Sequence, residues 1–266
     1  MIFENFTESD LQHLKPLEPE GWGDLMPRFR LLLDNTGCFP FKLTVNKTIA
    51  AVGATILFPE SAWLACIITH PEYQRQGIGE KMTRYLIASV DMTLRPTINL
   101  IATPMGYPLY KKIGFITDSI YDHFDAVPVY RPELSDHPVR NYEPKDIEEI
   151  LRLDKMLSGE DRSTMLLNYM TEASVFYEGD VLTGYYLPSL GEGLIFALNA
   201  KAGTALMNLR TSTKKNAVIP QSNKEALKIM EASGLQPFRI STRMYIGKKI
   251  DWDPTAMYNR IGGQLG

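Results

Sequence analysis

The first 130 residues alternate between apolar stretches with the spacing of strands and stretches with the spacing of helices. Residues 22–34 have the apolar spacing of a helix, which the turn-forming residues 35–37 end. Residues 41–45 and 49–58 predict the two strands of a hairpin, joined by a turn at residues 46–47. This order predicts a mixed α/β layer near the beginning of the chain.

A buried strand and a second helix follow the hairpin. Residues 63–69 form a nearly unbroken apolar run, which is typical of a strand covered on both faces. The run ends at His70-Pro71, before a loop that contains glycine. Apolar residues then recur at the turns of a predicted helix, namely Ile78, Met82, Tyr85, Leu86 and Val90.

Residues 98–102 predict a further strand that leads into a short helix. Thr103 supplies a capping hydroxyl and Pro104 suits the first helical position, so we expect the helix to begin there. We expect Gly114 to end this helix in a left-handed conformation, and Phe115 to open the next strand.

A charged stretch with several prolines separates two halves of the chain. It predicts a linker at residues 131–138, between a first domain at residues 1–130 and a second at residues 139–266.

The pattern of the first half partly recurs in the second. A helix is predicted to begin at Glu143, and residues 173–177 and 181–187 predict another hairpin. Ser222 with Glu225 predicts a capping box for a later helix, which a strand follows.

Composition and charge narrow the class of protein. At 266 residues, the chain is long enough for two cores of moderate size, and its 44% hydrophobic and 22% charged residues are typical of a folded protein. A net charge of −3 and a pI near 5.9 argue against nucleic acid and anionic membranes as partners. No apolar run is long enough for a membrane span, and no signal peptide pattern is present. Two cysteines predict neither a disulfide framework nor a metal site, so we expect a cytoplasmic protein without a metal.

Residues 74–79, Gln-Arg-Gln-Gly-Ile-Gly, form the segment that is most suggestive of chemistry. The first amides of a helix lack partners within the helix, and the helix dipole adds partial positive charge there. Gly77 and Gly79 let the backbone approach an anion closely, and Arg75 and Lys81 add positive charge. Such a loop suits the pyrophosphate of coenzyme A, with an ordinary strand-to-helix turn as the alternative.

Spacing excludes two other nucleotide sites. A P-loop requires a Gly-x-x-x-x-Gly-Lys-Ser/Thr run, which this loop lacks. A dinucleotide fingerprint requires a third glycine, and the chain has Met82 at that position.

Residues 63–80 and 100–115 resemble the Gcn5-related N-acetyltransferase (GNAT) superfamily. The cofactor motif of that family, Gln/Arg-x-x-Gly-x-Gly/Ala, is filled in register by Gln74, Gly77 and Gly79. Its second landmark, Tyr-x-x-x-Gly-Phe, is matched by the Tyr-Lys-Lys-Ile-Gly-Phe in the second of the two stretches.

Residues 102–115, 158–162 and 243–247 resemble, more narrowly, two-domain bacterial members of that family. This resemblance implies an α/β fold with an α+β mixed sheet, built as a GNAT fold in tandem. An N-terminal GNAT domain would be followed by a shortened GNAT-like C-terminal domain. Because the second half has no counterpart of the loop at residues 74–79, we expect it to have no cofactor site of its own.

The resemblance also implies roles for individual residues. Backbone groups of Ile67, Ile68 and Thr69 would pair with the pantetheine arm of coenzyme A as a further strand would. Tyr110 would lie by the sulfur and protonate the leaving thiolate, because a phenol with a pKa of about 10 stays protonated at neutral pH. Core packing is the alternative role for Tyr110. The other implied cofactor-binding residues are Gln74, Arg75, Gln76, Gly77, Ile78, Gly79, Glu80 and Thr103.

The activity that the resemblance implies is direct transfer of an acetyl group from acetyl-CoA to the amine of a small molecule or peptide. Many relatives use a Glu or Asp on the strand before the loop as general base, and residues 63–69 contain neither. A water relay and the carboxylates of Asp24, Asp34 and Glu60 are the open alternatives for that base. Because the acid is missing from the strand, a non-catalytic acyl-CoA sensor or scaffold is the second hypothesis for function.

Overall fold

The chain forms two β-sheets, which we describe from a computed structural model over residues 1–125 and 139–266. The strands are β1 (Ile2–Asn5), β2 (Cys38–Val45), β3 (Thr48–Leu57), β4 (Ser61–Thr69), β5 (Thr97–Ala102), β6 (Ile116–Asp125), β7 (Val139–Asn141), β8 (Ser174–Glu178), β9 (Val181–Leu187), β10 (Leu194–Ala197), β11 (Asn216–Pro220), β12 (Arg239–Gly247) and β13 (Met257–Asn259). The helices are α1 (Met26–Asp34), α2 (Ile78–Ala88), α3 (Tyr107–Ile113), α4 (Ile147–Ser158), α5 (Ser163–Leu166), α6 (Ala200–Thr211) and α7 (Lys224–Ala232).

The first sheet has the strand order β1-β2-β3-β4-β5-β12-β6-β11, and the second has the order β13-β10-β9-β8-β7. In the first sheet, β4 and β5 run parallel, whereas β3 and β4 run antiparallel. The predicted α/β class with a mixed sheet is therefore confirmed. None of the helices within the described residues is long and apolar enough to cross a membrane.

The first hairpin, β2 and β3, turns at the two residues that the sequence predicts. Asn46 and Lys47 have φ angles of 48° and 68°. Two consecutive left-handed residues match the right-handed twist of the flanking strands, which is why such two-residue turns favour hairpins.

Two predicted helix starts were wrong, and local hydrogen bonds explain both. Helix α3 begins at Tyr107 rather than at Thr103, and a turn closed by the Thr103 carbonyl precedes it. The predicted capping hydroxyl of Thr103 is present in that turn, where it accepts the Gly106 amide at 3.2 Å. Helix α7 is capped by Asn223 rather than by Ser222, since the Asn223 side chain accepts the Ala226 amide at 2.9 Å.

The two halves repeat one packing contact between hairpin and helix. A Cβ atom on Gly53 of β3 would lie 2.8 Å from a Leu86 methyl group of α2, and one on Gly184 of β9 would lie 2.9 Å from a Leu206 methyl group of α6. In each half, glycine in the second strand of the hairpin lets a leucine of the covering helix approach the sheet closely. This repetition agrees with a tandem fold.

Strand β12 belongs to the second half of the sequence but lies inside the first sheet. It pairs with β5 along Thr97–Ala102 and, on its other edge, with β6. Strand β11 then extends the same sheet by pairing with β6. The division at residues 1–130 and 139–266 stays a prediction, and the predicted linker at residues 131–138 lies outside the described residues. The first sheet is complete only when the second half supplies two strands.

A buried arginine fixes β12 against the neighbouring strands. The Arg243 guanidinium lies between the rings of Trp63 and Trp252, 4.8 and 4.1 Å from their centroids. Its Nε atom is 3.2 Å from the Asp118 carboxylate of β6 but is not aligned as a hydrogen bond, so charge attraction dominates. The same carboxylate accepts the Trp252 indole N–H at 2.7 Å and pairs with the exposed Lys249 at 3.2 Å.

Replacing this arginine should strongly destabilise the protein. We expect Arg243→Ala to lower the free energy of unfolding by about 3 kcal/mol or more, because Asp118 would remain buried without its buried cation. Lys249→Ala is the matched control on the same carboxylate. The Lys249 side chain is 61% exposed, so its loss should cost less than about 1 kcal/mol. Urea unfolding measures the free energy of unfolding of the two variants. An equal loss of stability in both would contradict this role of Arg243.

A second buried contact joins the two halves at the start of β4. Glu160 follows α4 and is 4% exposed. Its carboxylate accepts hydrogen bonds from the Ser61 hydroxyl and, at 2.9 Å, from the Trp63 indole N–H. The second half thus holds β4 in place from the face opposite α2.

Candidate functional site

The candidate site is a gap in the first sheet, between two strands that start side by side and then separate. Strands β4 and β5 are paired from Ser61 with Thr97 to Leu64 with Leu100, and their pairing ends there. Strand β4 continues to Thr69 while it stays paired with β3. Within the described residues, the edge of β4 beyond Leu64 therefore has no strand beside it. Such an edge presents backbone donors and acceptors to a ligand.

An irregularity in β4 marks the point where it leaves β5. Cys66 has a φ angle of 51°, and the register with β3 shifts between Val52 and Ala54. Both are typical of a β-bulge, which bends a strand and ends its pairing locally. The three residues predicted to face the pantetheine arm come directly after Cys66. Ile67 and Thr69 are half-buried, and Ile68 is buried.

The loop after β4 has two left-handed residues. Arg75 has a φ of 59° and Gly77 a φ of 76°. A non-glycine residue rarely adopts this conformation, so the loop is held by its surroundings. A Cβ atom on Gly77 would meet no atom within 4 Å, which leaves the space over this residue open.

Two glutamines of the loop stabilise it from within. The Gln74 side-chain amide donates to the Thr69 carbonyl at 3.4 Å, and the Gln76 amide donates to the Glu72 carbonyl at 2.8 Å. These side chains bridge the two sides of the loop. Their contribution to a ligand site would therefore be to hold the backbone in shape.

The first turn of α2 presents amides without acceptors. Its first backbone bond runs from the Lys81 amide to the Gly77 carbonyl at 3.0 Å, and no side chain caps the helix. Helices α6 and α7, in contrast, each begin with an asparagine, Asn199 or Asn223, whose side chain accepts an amide of the first turn. The amides left free by this arrangement belong to Ile78, Gly79 and Glu80.

The charge at this helix start is partly offset by its own ion pairs. The Glu80 carboxylate accepts from Lys112 at 2.8 Å and from Arg84 at 3.0 Å, and these two cations, Lys112 first, lower the pKa of Glu80. Arg75 is exposed, and no carboxylate within the described residues pairs with it. Lys81, whose ammonium contacts the Met1 sulfur at 3.7 Å, likewise pairs with no carboxylate among the described residues, so two positive charges remain beside the free amides.

Helix α3 places Tyr110 next to this turn. A Cβ atom on Gly79 would lie 3.6 Å from a methyl group of Leu109, and Lys112 forms the ion pair with Glu80. These two residues flank Tyr110 in α3, so the helix that carries the tyrosine packs directly on the start of α2. Gly106 leaves room for the tyrosine ring, since a Cβ atom there would lie 2.9 Å from it.

The environment of Tyr110 keeps its phenol protonated. The residue is 8% exposed, and burial raises its pKa to about 12. No residue within the described chain forms a hydrogen bond with its hydroxyl. A buried phenol of this kind retains its proton at neutral pH and can donate it.

Thr103 has a local structural role. Its hydroxyl accepts the Gly106 amide at 3.2 Å, within the turn that precedes α3. The residue is half-buried at the carboxyl end of β5. Its contact with a cofactor stays a prediction.

The three acids considered as general base lie in different places. Glu60 precedes β4 at the end opposite the loop, and Asp34 ends α1 with an exposed side chain. The Asp24 carboxylate accepts the Met26 amide at 2.8 Å, just before α1. None of these positions brings a carboxylate into contact with Tyr110.

The second half of the chain reaches the face of the gap opposite α2. Cys66 lies in one apolar core with residues of both halves, and half-buried Ile101 and Tyr169 pack against this core. The Asn168 amide donates to the Asn35 side chain at 3.4 Å, which links this part of the second half to the end of α1. Sequence patterns did not predict this contact, because it joins residues far apart in the chain.

Comparison with known proteins identifies the family. Two acetyltransferase (GNAT) domain models match residues 41–117 and residues 150–259. The chain is also similar to the uncharacterized N-acetyltransferase YitH of Bacillus subtilis (strain 168), with 28% identity over 149 residues. That match covers 55% of this chain and 51% of the relative, so it spans about half the length of this curated protein.

Two solved structures show the same fold. The "Putative Acetyltransferase" of Pyrococcus horikoshii matches with a TM-score of 0.83 and 22% identity, over 100% of this chain and 95% of its own. The tandem GNAT protein from the clavulanic acid biosynthesis pathway matches with a TM-score of 0.59 and 11% identity, over 94% of this chain and 99% of its own. Since a GNAT domain is matched in each half and a tandem GNAT protein has the same fold, this chain belongs to the GNAT acetyltransferase family, with two such domains in tandem.

Proposed function

We propose that this chain transfers an acyl group from an acyl-CoA, specifically the acetyl group of acetyl-CoA, to an amine. The proposal is supported by three features that lie close together. The open edge of β4, the uncapped amides of α2 and the helix that carries Tyr110 meet at one end of the gap. Family membership supports the same reaction.

The residues at the gap fit the parts of coenzyme A. Backbone groups of Ile67 and Thr69 lie on the open edge and suit the amides of pantetheine. The uncapped first turn of α2 suits the pyrophosphate, because free amides and the helix dipole both favour an anion. The open space over Gly77 leaves the backbone accessible to such a group.

Transfer would be direct. When bound, acetyl-CoA supplies a thioester carbonyl carbon that an amine can attack. Tyr110 would keep its proton on the phenolic oxygen, because burial raises its pKa to about 12, and it would donate that proton to the departing sulfur. Cys66 does not suit a covalent route, because burial raises the pKa of its thiol to about 11 and keeps it protonated. Positioning and stabilisation of the thiolate would supply most of the rate enhancement.

We assign the acyl-CoA site to residues 1–130 and none to residues 139–266. In the second half, only residues 198–199 separate β10 from α6, which leaves no loop between strand and helix. The start of α6 is also closed by Asn199, whose side chain accepts the Ala202 amide at 3.0 Å. Both features argue against an anion site at this helix.

The loop conformation should control affinity for coenzyme A. We expect Gly77→Val to weaken CoA binding by about tenfold or more, because a β-branched residue is strained at a φ of 76° and would move the amides of α2. Gly179→Val is the matched control, since Gly179 has a φ of 61° and equally open surroundings in the β8–β9 turn. It should lower stability similarly and leave CoA binding unchanged. Calorimetric titration with CoA distinguishes the two, and a wild-type protein that does not bind CoA would refute the proposal.

A non-catalytic acyl-CoA sensor is the second candidate function. Strand β4 carries no acid. The Asp24 carboxylate is bonded to the Met26 amide just before α1, and Asp34 is exposed at the end of α1. A thiol-release assay with acetyl-CoA and a panel of amines decides between the candidates. Tight CoA binding with no turnover on any amine would favour the sensor.

A further inference from the structure

Helix α1 points one arginine towards the interior. Leu25, Phe29 and Leu32 are each at most 1% exposed and belong to the core that contains Cys66. Residues three, four and seven positions apart share one face of a helix. Arg28 therefore lies on the same face of α1 as these three buried residues.

The charge of Arg28 has no partner in the chain as described. The residue is half-buried, and its Nη2 atom donates to the Trp22 carbonyl at 3.1 Å. Its guanidinium carbon lies 5.5 Å from the centroid of the Trp22 ring. No carboxylate within residues 1–125 and 139–266 forms an ion pair with it. Most of its N–H donors are thus left for another acceptor.

The neighbouring charged residues of this segment already have partners within the chain. Arg30, two residues further along α1, pairs with Glu8 at 2.9 Å. Glu18 pairs with Lys15 at 2.8 Å, and Asp24 accepts the Met26 amide at the start of α1. Arg28 is therefore distinguished from Arg30 both by its burial and by its lack of a carboxylate.

Arg28 lies on the sheet face that carries the bulge of β4, because the buried residues on the same face of α1 share one core with Cys66. Its positive charge acts on Cys66, where it opposes the larger effect of burial on the thiol pKa. Cys66 is the residue with the left-handed backbone at the bulge. Half-buried Ile101 and Tyr169 pack against the same core from β5 and from the second half. Arg28 is therefore on the sheet face opposite α2, and its charge acts at the bulge where the gap begins.

We propose that Arg28 binds a carboxylate of the acceptor, so that the substrates are amines that also carry an acid group, such as amino acids. This inference rests on the proposed acyl transfer. A guanidinium forms two parallel hydrogen bonds with a carboxylate, and in a half-buried site such a pair is stronger than in water. A polyamine would instead place its cationic groups beside Arg28 and be repelled.

Arg28 would orient the acceptor and take no part in the bond changes. The amine nitrogen forms a bond with the acyl carbon while the carbon–sulfur bond breaks. The amine loses one proton, and the sulfur leaves as a thiolate that gains one. The product is an N-acyl amino acid and free CoA.

Paired acceptors test the inference. We would compare amino acids with their carboxamides, for instance phenylalanine with phenylalaninamide and glutamate with isoglutamine, in thiol release from acetyl-CoA. The acid is expected to have a kcat/KM about 10 to 100 times higher than the amide for at least one pair. Arg28→Gln should abolish this preference, Arg28→Lys should retain part of it, and the control Arg30→Gln should leave it unchanged. CoA affinity should be the same in all four proteins.

A binding measurement keeps the test independent of turnover and of the variants. Calorimetry on the CoA-loaded wild-type protein compares N-acetyl amino acids with their carboxamides. If CoA binds but neither turnover nor this titration prefers the carboxylate, the inference is overturned while the proposed function stands. If CoA itself does not bind, the proposed function fails, and the inference fails with it.

Discussion

A chain cut to residues 1–130 should fail to fold. It would lose β12, which spans nine residues and pairs on both edges, with β5 and with β6. Each backbone hydrogen bond contributes about 1 kcal/mol, and the first half would also lose its contacts with the buried Arg243 and Met244 of β12. These losses together approach the whole stability of a domain, about 5–15 kcal/mol. Circular dichroism should show no cooperative thermal transition, and calorimetry should show no binding of CoA.

Residues 139–266 expressed as a separate chain provide the control. Together with residues 1–130 they restore β12 and the Glu160 contacts with β4. We expect the two fragments to purify as a complex and to bind CoA, although neither does so alone. A fragment of residues 1–130 that melts cooperatively by itself would contradict the importance of the shared sheet.

The Tyr110→Phe variant should lose about 100-fold or more in kcat while it keeps its affinity for CoA. The ring would still fill its place in the core, and only the proton donor to sulfur would be removed. Burial raises the pKa of Tyr110 to about 12, so its phenol stays protonated at pH values where an exposed tyrosine has already lost its proton. Wild-type kcat should therefore show no loss from Tyr110 deprotonation between pH 6 and about pH 10. Steady-state kinetics with acetyl-CoA over this range measures both effects.

Tyr107→Phe on the same helix is the control for this prediction. The Tyr107 hydroxyl lies 3.0 Å from the Thr117 hydroxyl, at an exposed position. Its removal should change kcat by less than about twofold. If Tyr110→Phe behaved like Tyr107→Phe, the assignment of Tyr110 as proton donor would be wrong.

Features set by local sequence could be predicted well. The hairpin turn at Asn46 and Lys47 and the left-handed Gly114 depend on a few adjacent residues, and the structure has both as expected. The loop with Gly77 and the family motif around Tyr110 could also be predicted from the spacing of their residues. The loop lies after strand β4, and Tyr110 lies on helix α3. The predicted roles of these residues in binding and transfer still await experiment.

Features set by distant parts of the chain could not be predicted. Nothing in the sequence of β12 indicates that it lies between β5 and β6, because strand pairing across two halves leaves no local pattern. Helix α6 was missed for another reason. It is buried on more than one face and includes a buried Arg210, so it lacks the periodic polar face that marks most helices. Arg28 also looks ordinary in sequence, since only the structure shows which neighbouring acids are already paired.

The position of β12 has a consequence for synthesis on the ribosome. Residues up to 125 emerge first, but the slot between β5 and β6 is filled only after residue 247 has been made. At about 5–20 residues per second, this interval lasts roughly 6–25 s. During that time one edge of β5 and the edges of β6 lack their partner strands and are open to other nascent chains. Chaperone depletion should therefore reduce the yield of this protein more than that of single-domain relatives with a contiguous sheet.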